Sequence, residues 1–412
     1  MTSPKVSVLL PTYNRERFIA ESLESVFAQT LPPTQIIVIN DGSTDDTRSA
    51  LEPFFQRIEY LETENRGKPS ALNLGMARVT GDYVWIMDDD DVALPDALSR
   101  HIELLEQRPK LGWTYSGYIE STSQSDTGRI TPVKNVTLPQ FPEEEFFIRL
   151  MEESFLIHPT ILVRTSCYRA LGPFNTSLIR SQDYEMSLRL GRNYPCARLS
   201  EPTIYHRLHA GPRGSSVDRF ESQKSEAKWV EYDVRIFSEL RQVLSLSDYL
   251  PPSSRNDTNI SGYKRRAYLQ RMVIMGKKTL YGEMLEDLRS ALNCNPDEPL
   301  SKPECAVLRR LASDLSGDPL LYPGNASAVR SICIGTAGLS IRLELAQAMW
   351  WRAATGWRNR DYRELFRTFA CAARIAGLRG SIAGTTPQTA RAVSSEPVRA
   401  ASDEAEGSRP EP

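Results

Sequence analysis

The sequence predicts an α/β protein: a mostly parallel sheet with flanking helices, followed by a mainly helical C-terminal region. Three observations carry that expectation. Over about the first ninety residues, short apolar runs alternate with segments of helical periodicity. Two of those runs end directly in acidic clusters, at the carboxyl ends of strands where such sheets gather ligands. After Gly211-Pro212-Arg213-Gly214-Ser215-Ser216 the composition turns helix-forming.

The elements follow in order. Val6 to Leu10 is a continuous apolar run, the mark of a strand covered on both faces. Arg15 to Thr30 then sets Phe18, Ile19, Leu23, Val26 and Phe27 at helical spacing, until Pro32-Pro33 blocks continuation. Ile36 to Ile39 is a second buried strand and runs into Asn40-Asp41-Gly42-Ser43. Thr44 to Phe55 reads as a helix with Asp45 and Asp46 in its first turn, where they suit the helix dipole. Ile58 to Leu61 is a third strand, and Lys68 to Val79 a helix carrying Leu72, Leu74 and Met76. Tyr83 to Met87 is a fourth strand, directly followed by four aspartates. Strands alternating with helices of this length imply right-handed crossovers and parallel pairing.

Beyond residue 95 the pattern is mixed. Pro95 to Glu106 is expected as helix, Leu111 to Ile119 as strand and Ser121 to Gly128 as a polar turn. Phe155 to Val163 is apolar, and Asp183 to Leu190 begins a helix. The expected organisation is an α/β domain over residues 1–215, a helical region over 216–380 and a disordered tail over 381–412, which is nearly free of large apolar residues.

Composition narrows the function. At 412 residues the chain has room for two or three domains of about 150 residues. Hydrophobic residues at 40% and charged residues at 25% are ordinary for a globular protein, and a net charge of −2 argues against a nucleic-acid coat. The six cysteines lack zinc-site spacing, no secretory leader is read, and no apolar run is long enough to span a membrane. The expectation is a reduced, cytoplasmic protein. Neither G-x-G-x-x-G nor a P-loop is present, so nicotinamide and P-loop chemistries lose their main support.

Asp88-Asp89-Asp90-Asp91 is the first candidate for chemistry. If strand geometry persists, Asp88 and Asp90 face one way and Asp89 and Asp91 the other. Ionised carboxylates so close repel one another unless a cation intervenes, and Mg²⁺ or Mn²⁺ suits one or two of them plus substrate phosphates. The plainer alternative is a solvated turn or a helix cap. Asp41, after the second strand, can accept from ribose hydroxyls or a base N–H, although Asn-Asp-Gly-Ser is also ordinary turn chemistry.

Four segments taken in series resemble family 2 glycosyltransferases of the Rossmann-like GT-A fold. They are Val6 to Asn14, Val38 to Thr47, Asn65-Arg66-Gly67-Lys68 with Ala71-Leu72-Asn73, and Gly81 to Asp91. The resemblance covers roughly residues 5 to 210 and implies an inverting glycosyltransferase acting on a nucleotide-sugar donor, a UDP-sugar first, and a hydroxyl acceptor. By that resemblance Pro11, Thr12 and Tyr13 line the base and ribose, with Asp41 on the base. Lys68 and Asn73 border the nucleotide, together with Asp88 and Asp89. Asp88 and Asp90 form the D-x-D and hold a divalent cation, Mn²⁺ or Mg²⁺, with Asp90 the better ligand.

Gly172-Pro173-Phe174-Asn175 and Ser181 to Arg189 resemble the family's later acidic motif, which makes Asp183 the catalytic base; Gln182 stands where the family commonly has Glu. Of the two histidines in Tyr205-His206-Arg207-Leu208-His209, His209 aligns better with a residue near the diphosphate and metal. His158 is expected to pack, or to line the acceptor pocket. Trp350, Trp351, Trp357, Phe366 and Phe369 among Arg352, Arg358, Arg360, Arg363 and Arg367 suit peripheral contact with a membrane, or packing against the catalytic domain. Two rivals are a sugar nucleotidyltransferase, which usually has a glycine-rich basic loop where Pro11-Thr12-Tyr13-Asn14 stands, and a non-catalytic nucleotide-sugar binder.

Overall fold

The computed structural model describes residues 4–123, 130–208, 225–256, 260–312, 319–358 and 360–377. The chain divides into a compact unit, Met1–Leu378, and a second, Arg379–Pro412, which lies outside the described residues. The expected disordered tail and the expected boundary at 215/216 therefore also lie outside them.

The described strands are β1 (Val6–Thr12), β2 (Gln35–Asn40), β3 (Glu59–Glu62), β4 (Tyr83–Ile86), β5 (Val92–Ala93), β6 (Trp113–Tyr115), β7 (Tyr118–Ser123), β8 (Ile130–Val136), β9 (Ile161–Arg164), β10 (Cys196–Arg198) and β11 (Ile204–Arg207). Helices α1 (Ile19–Phe27), α2 (Thr47–Leu51), α3 (Lys68–Met76), α4 (Ala97–Gln107), α5 (Phe146–Glu152), α6 (Thr165–Leu171) and α7 (Gln182–Asn193) intersperse them. Then come α8 (Ser225–Val243), α9 (Ile260–Lys277), α10 (Tyr281–Cys294), α11 (Lys302–Arg309), α12 (Asn325–Ile332), α13 (Gly335–Arg358) and α14 (Tyr362–Ala376). The α/β class with a helical C-terminal region is as expected.

The main sheet has the order β10-β6-β9-β4-β1-β2-β3, and β9 alone runs antiparallel to its neighbours. Its central strands are apolar on both faces because both are covered. Val6, Val8 and Leu10 pack with Leu23 and Val26 of α1 and Leu98 and Ile102 of α4. Leu9, Ile37, Ile39, Val84 and Ile86 pack with Ala71 and Leu72 of α3, and that core continues to Phe237 of α8 and Leu269 of α9. Glu152 of α5, buried, accepts from Gln270 Nε2 at 2.7 Å and Arg310 Nε at 2.8 Å, a polar tie between the sheet's helices and the C-terminal ones.

A second sheet, β5-β11-β7-β8, stands beside the first, and sequence reading missed it. Leu111 to Ile119 was expected as one strand. It breaks at Ser116-Gly117, so β6 stays in the main sheet while β7 enters the second. Gly117 lets the chains close in there, since a Cβ on it would meet the Val136 carbonyl oxygen at 2.4 Å. Ser121 to Ser123, expected as turn, continues β7 and pairs with β8, and residues 124–129 lie outside the described residues. The expected helix at 44–55 shortens to α2 plus a 3₁₀ turn at Glu52–Phe54, which contains Pro53. No helix among the described residues is long and apolar enough to cross a membrane.

Candidate active site

Strands β1, β2 and β4 are parallel neighbours, with β2 on one side of β1 and β4 on the other. At such a reversal the connections leave in opposite directions and open a crevice at the carboxyl ends. The segments after β1, β2 and β4 meet there with the start of α3. The acidic loop also carries the chain from β4 into β5, so it sits at the crossover between the two sheets.

Strand β4 ends at Ile86, and the next residues turn, so the alternation anticipated for the aspartates does not hold. Each meets a partner by position in the turn instead. Asp88 is ion-paired with Lys68 Nζ. Asp89 Oδ1 and Asp90 Oδ2 lie 3.4 and 3.5 Å from the same Arg15 Nε, and Asp89 accepts the Tyr13 N–H at 3.2 Å. Asp91, with no solvent exposure, accepts the Arg207 N–H at 2.9 Å and faces His206 Nδ1 at 3.1 Å.

These contacts set the charges. Burial pushes the Asp89 carboxyl up to about 7; Arg15 pulls the other way and the Asp90 charge adds to the rise. Burial raises Asp91 to about 6 against the stabilising contact from His206. Burial opposes the charge on Lys68, yet the Asp88 carboxylate outweighs it and holds the amine above its ordinary value. Arg15 is raised likewise, with burial overcome by Asp89, Asp90 and Asp88.

Two arginines at this site were missed by sequence reasoning. Arg15 reads only as a helix start. Arg207, 1% exposed, donates from Nε to the Asp90 carbonyl at 2.8 Å, from Nη1 to Ser123 Oγ at 2.6 Å, and from Nη2 to the Glu21 carboxylate. It binds the acidic loop to α1 and the second sheet. Its position in a Tyr-His-Arg-Leu-His run gives no sign of burial. His206 packs edge-on to Tyr118, and Asp91 raises its pKa against burial. His209 lies outside the described residues.

The nucleotide-side candidates divide into two groups. Pro11 and Thr12 are buried at the end of β1, the Thr12 side chain acts on the Asp89 carboxylate, and Tyr13 is half-buried. Asp41 is 3% exposed and its oxygens accept the Arg66 and Gly67 N–H groups at 3.0 and 2.9 Å, folding the loop before α3 onto β2. Gly42 makes that approach feasible: its φ is +72° and a Cβ would meet the Asn65 nitrogen at 2.7 Å. Asn73 likewise clamps Phe174, donating to its carbonyl at 2.9 Å and accepting its N–H at 2.8 Å. Asp41 and Asn73 hold the crevice walls, while Lys68 faces the aspartates.

Asp183 enters from the far side, in the first turn of α7, where the helix dipole favours a carboxylate. It is half-buried, its Oδ1 accepts the Tyr184 N–H at 2.9 Å, and its charge acts on Lys68 and on buried His158. Ser181 before it and Asn14 after Tyr13 have φ of 56° and 53°. Left-handed backbone at non-glycine residues is strained; of the four instances among the described residues these two border the crevice, while Thr279 and Arg360 lie among the C-terminal helices.

Among the described residues no three His, Cys, Asp or Glu side chains gather as a metal cage. Asp88 and Asp90, with side chains 25% and 17% exposed, fit the looser demand of a hard cation that takes one or two carboxylates and completes its shell with phosphates and water.

A family model described as glycosyl transferase family 2 matches residues 7–172. An uncharacterized glycosyltransferase of Haemophilus influenzae is 30% identical over 233 residues, covering 55% of this chain and 72% of that one. One from Rickettsia prowazekii is 31% identical over 218 residues, covering 50% and 65%, and one from Rickettsia felis is 26% identical over 239 residues, covering 56% and 38%. The chain thus spans less than two thirds of the two Rickettsia relatives. Among solved structures, S. aureus TarS 1-349 in complex with UDP-GlcNAc has a TM-score of 0.47 and 16% identity, covering 85% of this chain and 92% of that one.

Proposed function

The chain belongs to glycosyl transferase family 2, and on that premise we propose that it moves a sugar from a nucleoside-diphosphate sugar, a UDP-sugar first, to a hydroxyl acceptor with inversion. The observation that carries this is the convergence of Lys68 with Asp88, Arg15 with Asp89 and Asp90, and Asp183 at one end of the sheet. In this reading the base and ribose lie against Pro11, Thr12 and Tyr13 beside Asp41. Asp88, Asp89 and Lys68 border the ribose and diphosphate, with Asn73 fixing the wall behind them. Lys68 and Arg15 are cations suited to a diphosphate's charge. Asp90 and Asp88 would hold a Mn²⁺ or Mg²⁺ ion, which when bound offsets the charge that builds on the leaving phosphate. Asp183 takes the proton of the attacking acceptor hydroxyl, and a single displacement inverts the anomeric carbon.

General-base assistance contributes about 10²–10⁴-fold. Asp183→Asn should therefore lower turnover by that order while leaving donor binding, measured by calorimetry, close to wild type. Equal turnover would move the base elsewhere. A non-catalytic binder, the reading that Gln182 in place of Glu leaves open, predicts donor binding without transfer or donor hydrolysis.

The C-terminal helices support a second partner, an anionic membrane surface. On α13 the exposed Leu339, Leu343, Trp350 and Trp357 fall four, seven and seven residues apart and so share one stripe. On α14 the exposed Tyr362, Phe366 and Phe369 form another, and the two meet through Trp350–Phe369 and Trp357–Tyr362 ring contacts at 4.8 and 6.3 Å. The outward aromatics are not those that α14 packs inward, which are Thr368, Cys371, Ala372 and Ile375. Residues 350–377 carry six arginines against Asp361 and Glu364, and Glu364 is already paired with Arg352. That excess would repel a second copy brought face to face, but it suits anionic headgroups. Such lipids enrich the cytoplasmic leaflet, where this reading puts the enzyme.

A further inference from the structure

The aspartates of the acidic loop face Lys68, Arg15 and His206, yet two neutral side chains near Asp183 have polar atoms with no partner. His158 is 3% exposed, and neither ring nitrogen has a hydrogen-bond partner. Gln182 is 6% exposed, and its Oε1 has none. Burying polar atoms unpaired is costly, and a partner from outside the chain would offset that cost.

His158 is well tied. It opens the 3₁₀ turn His158–Thr160, whose backbone is fixed by Trp85 Nε1 donating to the Pro159 carbonyl at 2.8 Å and by the Ser116 N–H on the Thr160 carbonyl at 3.0 Å. Its ring packs edge-on to Phe174 at 5.7 Å, on the loop clamped by Asn73. The charges that act on it are those of Asp183, Lys68 and Asp88, so it sits inside the crevice cluster rather than in a remote core. Burial holds its pKa down to about 4, with Asp183 opposing and Lys68 assisting, so the ring is neutral at pH 7.

A neutral imidazole offers one N–H donor and one acceptor nitrogen, and a hydroxyl is likewise donor and acceptor. A diphosphate, by contrast, is matched by Lys68 and Arg15. We infer that His158, with Gln182 beside Asp183, binds a hydroxyl group of a substrate sugar and so determines which sugar the crevice accepts. The hydroxyl belongs to the transferred sugar or to the acceptor. The inference rests on the glycosyltransfer reading.

The test compares wild type with His158→Phe, which keeps a ring against Phe174 but removes both nitrogens, and with His158→Asn, which keeps a donor and an acceptor. Thermal shifts are read with UDP and GDP alone and with a panel of UDP- and GDP-sugars, and kcat and KM are read for the sugar that wild type turns over. A packing role predicts that His158→Phe is at least as stable as wild type, with unchanged kcat/KM. That result overturns the inference, as does a matching loss in UDP or GDP shifts. A substrate contact predicts a folded His158→Phe with kcat/KM down roughly ten-fold or more, UDP or GDP shifts intact, and partial recovery in His158→Asn. If the sugar-dependent part of the thermal shift falls, the hydroxyl is the donor's. If only acceptor KM rises, it is the acceptor's. Should His158→Phe not fold, His158→Leu, which is smaller and likewise lacks both nitrogens, carries the same readings, and wild-type kinetics in it overturn the inference. A wild type that neither binds nor turns over any sugar nucleotide would sink the glycosyltransfer reading instead.

Discussion

Four adjacent carboxylates cannot all ionise without compensation, and here the compensation is distributed one residue at a time. Asp88 takes Lys68, Asp89 and Asp90 share Arg15, and Asp91 is buried against His206 and the Arg207 backbone. The first three therefore stay partly exposed and available, while Asp91 and Arg207 act as the loop's anchor. Histidine shows the opposite device, a polar ring kept uncharged. His101 on α4 is fully buried, bonded through Nδ1 to Thr114 Oγ1 at 2.9 Å, and its pKa is held down to about 3 by burial and by Arg100. In the unfolded chain the same ring protonates near 6.5. Below that value the unfolded state takes up a proton that the folded state refuses. His101 therefore adds full stability above pH 6.5 and loses it as the pH falls toward 3. Between pH 7 and pH 5 the loss from this one ring is about 2 kcal/mol. Urea unfolding at the two pH values should show His101→Gln with a pH dependence smaller by about that amount. The same slope in the variant would mean that the ring already protonates in the folded protein.

At the scale of elements, the site is made by strand ends and the helices that follow them, and the C-terminal hairpin supplies a separate surface. Helices α13 and α14 bury one face in the molecule and expose a joined aromatic face rimmed by arginine. Replacing Trp357 and Phe366 with serine touches only exposed positions, so the fold should be kept. Flotation with vesicles containing anionic phospholipid should recover wild type in the lipid fraction, and recovery should fall several-fold with the double variant, with neutral vesicles, or at high salt. Equal recovery of the variant would remove the membrane from the account without touching the crevice. Transfer to a soluble acceptor, measured alongside, should be unchanged.

For the whole molecule, what the sequence reveals follows from how each part is stabilised. Strands β1, β2 and β4 are covered on both faces and so appear as unbroken apolar runs, and their order with the helices between them makes the ligand edge predictable. The second sheet is hidden because its strands are either short or largely exposed: β8 is mostly solvent-facing and contains Pro132, and β11 is four residues long. Asp88 and Asp90 could be named in advance because acidic residues at a strand end stand out, and Lys68 and Asp183, at the starts of α3 and α7, because their segments resemble family motifs. Arg15 and Arg207 could not, since nothing local to an arginine says that it will be buried against a loop many residues away. The split of Leu111 to Ile119 depends on Gly117 meeting the β8 end, a contact that no local pattern encodes.

The central claim is that Asp88 and Asp90 share a divalent cation with the diphosphate of a sugar nucleotide at the switch point of the sheet. Thermal shift with UDP- and GDP-sugars tests it most directly, because a ligand bound only to the folded state raises the melting temperature by mass action. The account predicts a shift in the presence of Mn²⁺ or Mg²⁺ that is lost on adding EDTA and lost in a folded Asp90→Asn variant. A shift of equal size after chelation and in Asp90→Asn would contradict it.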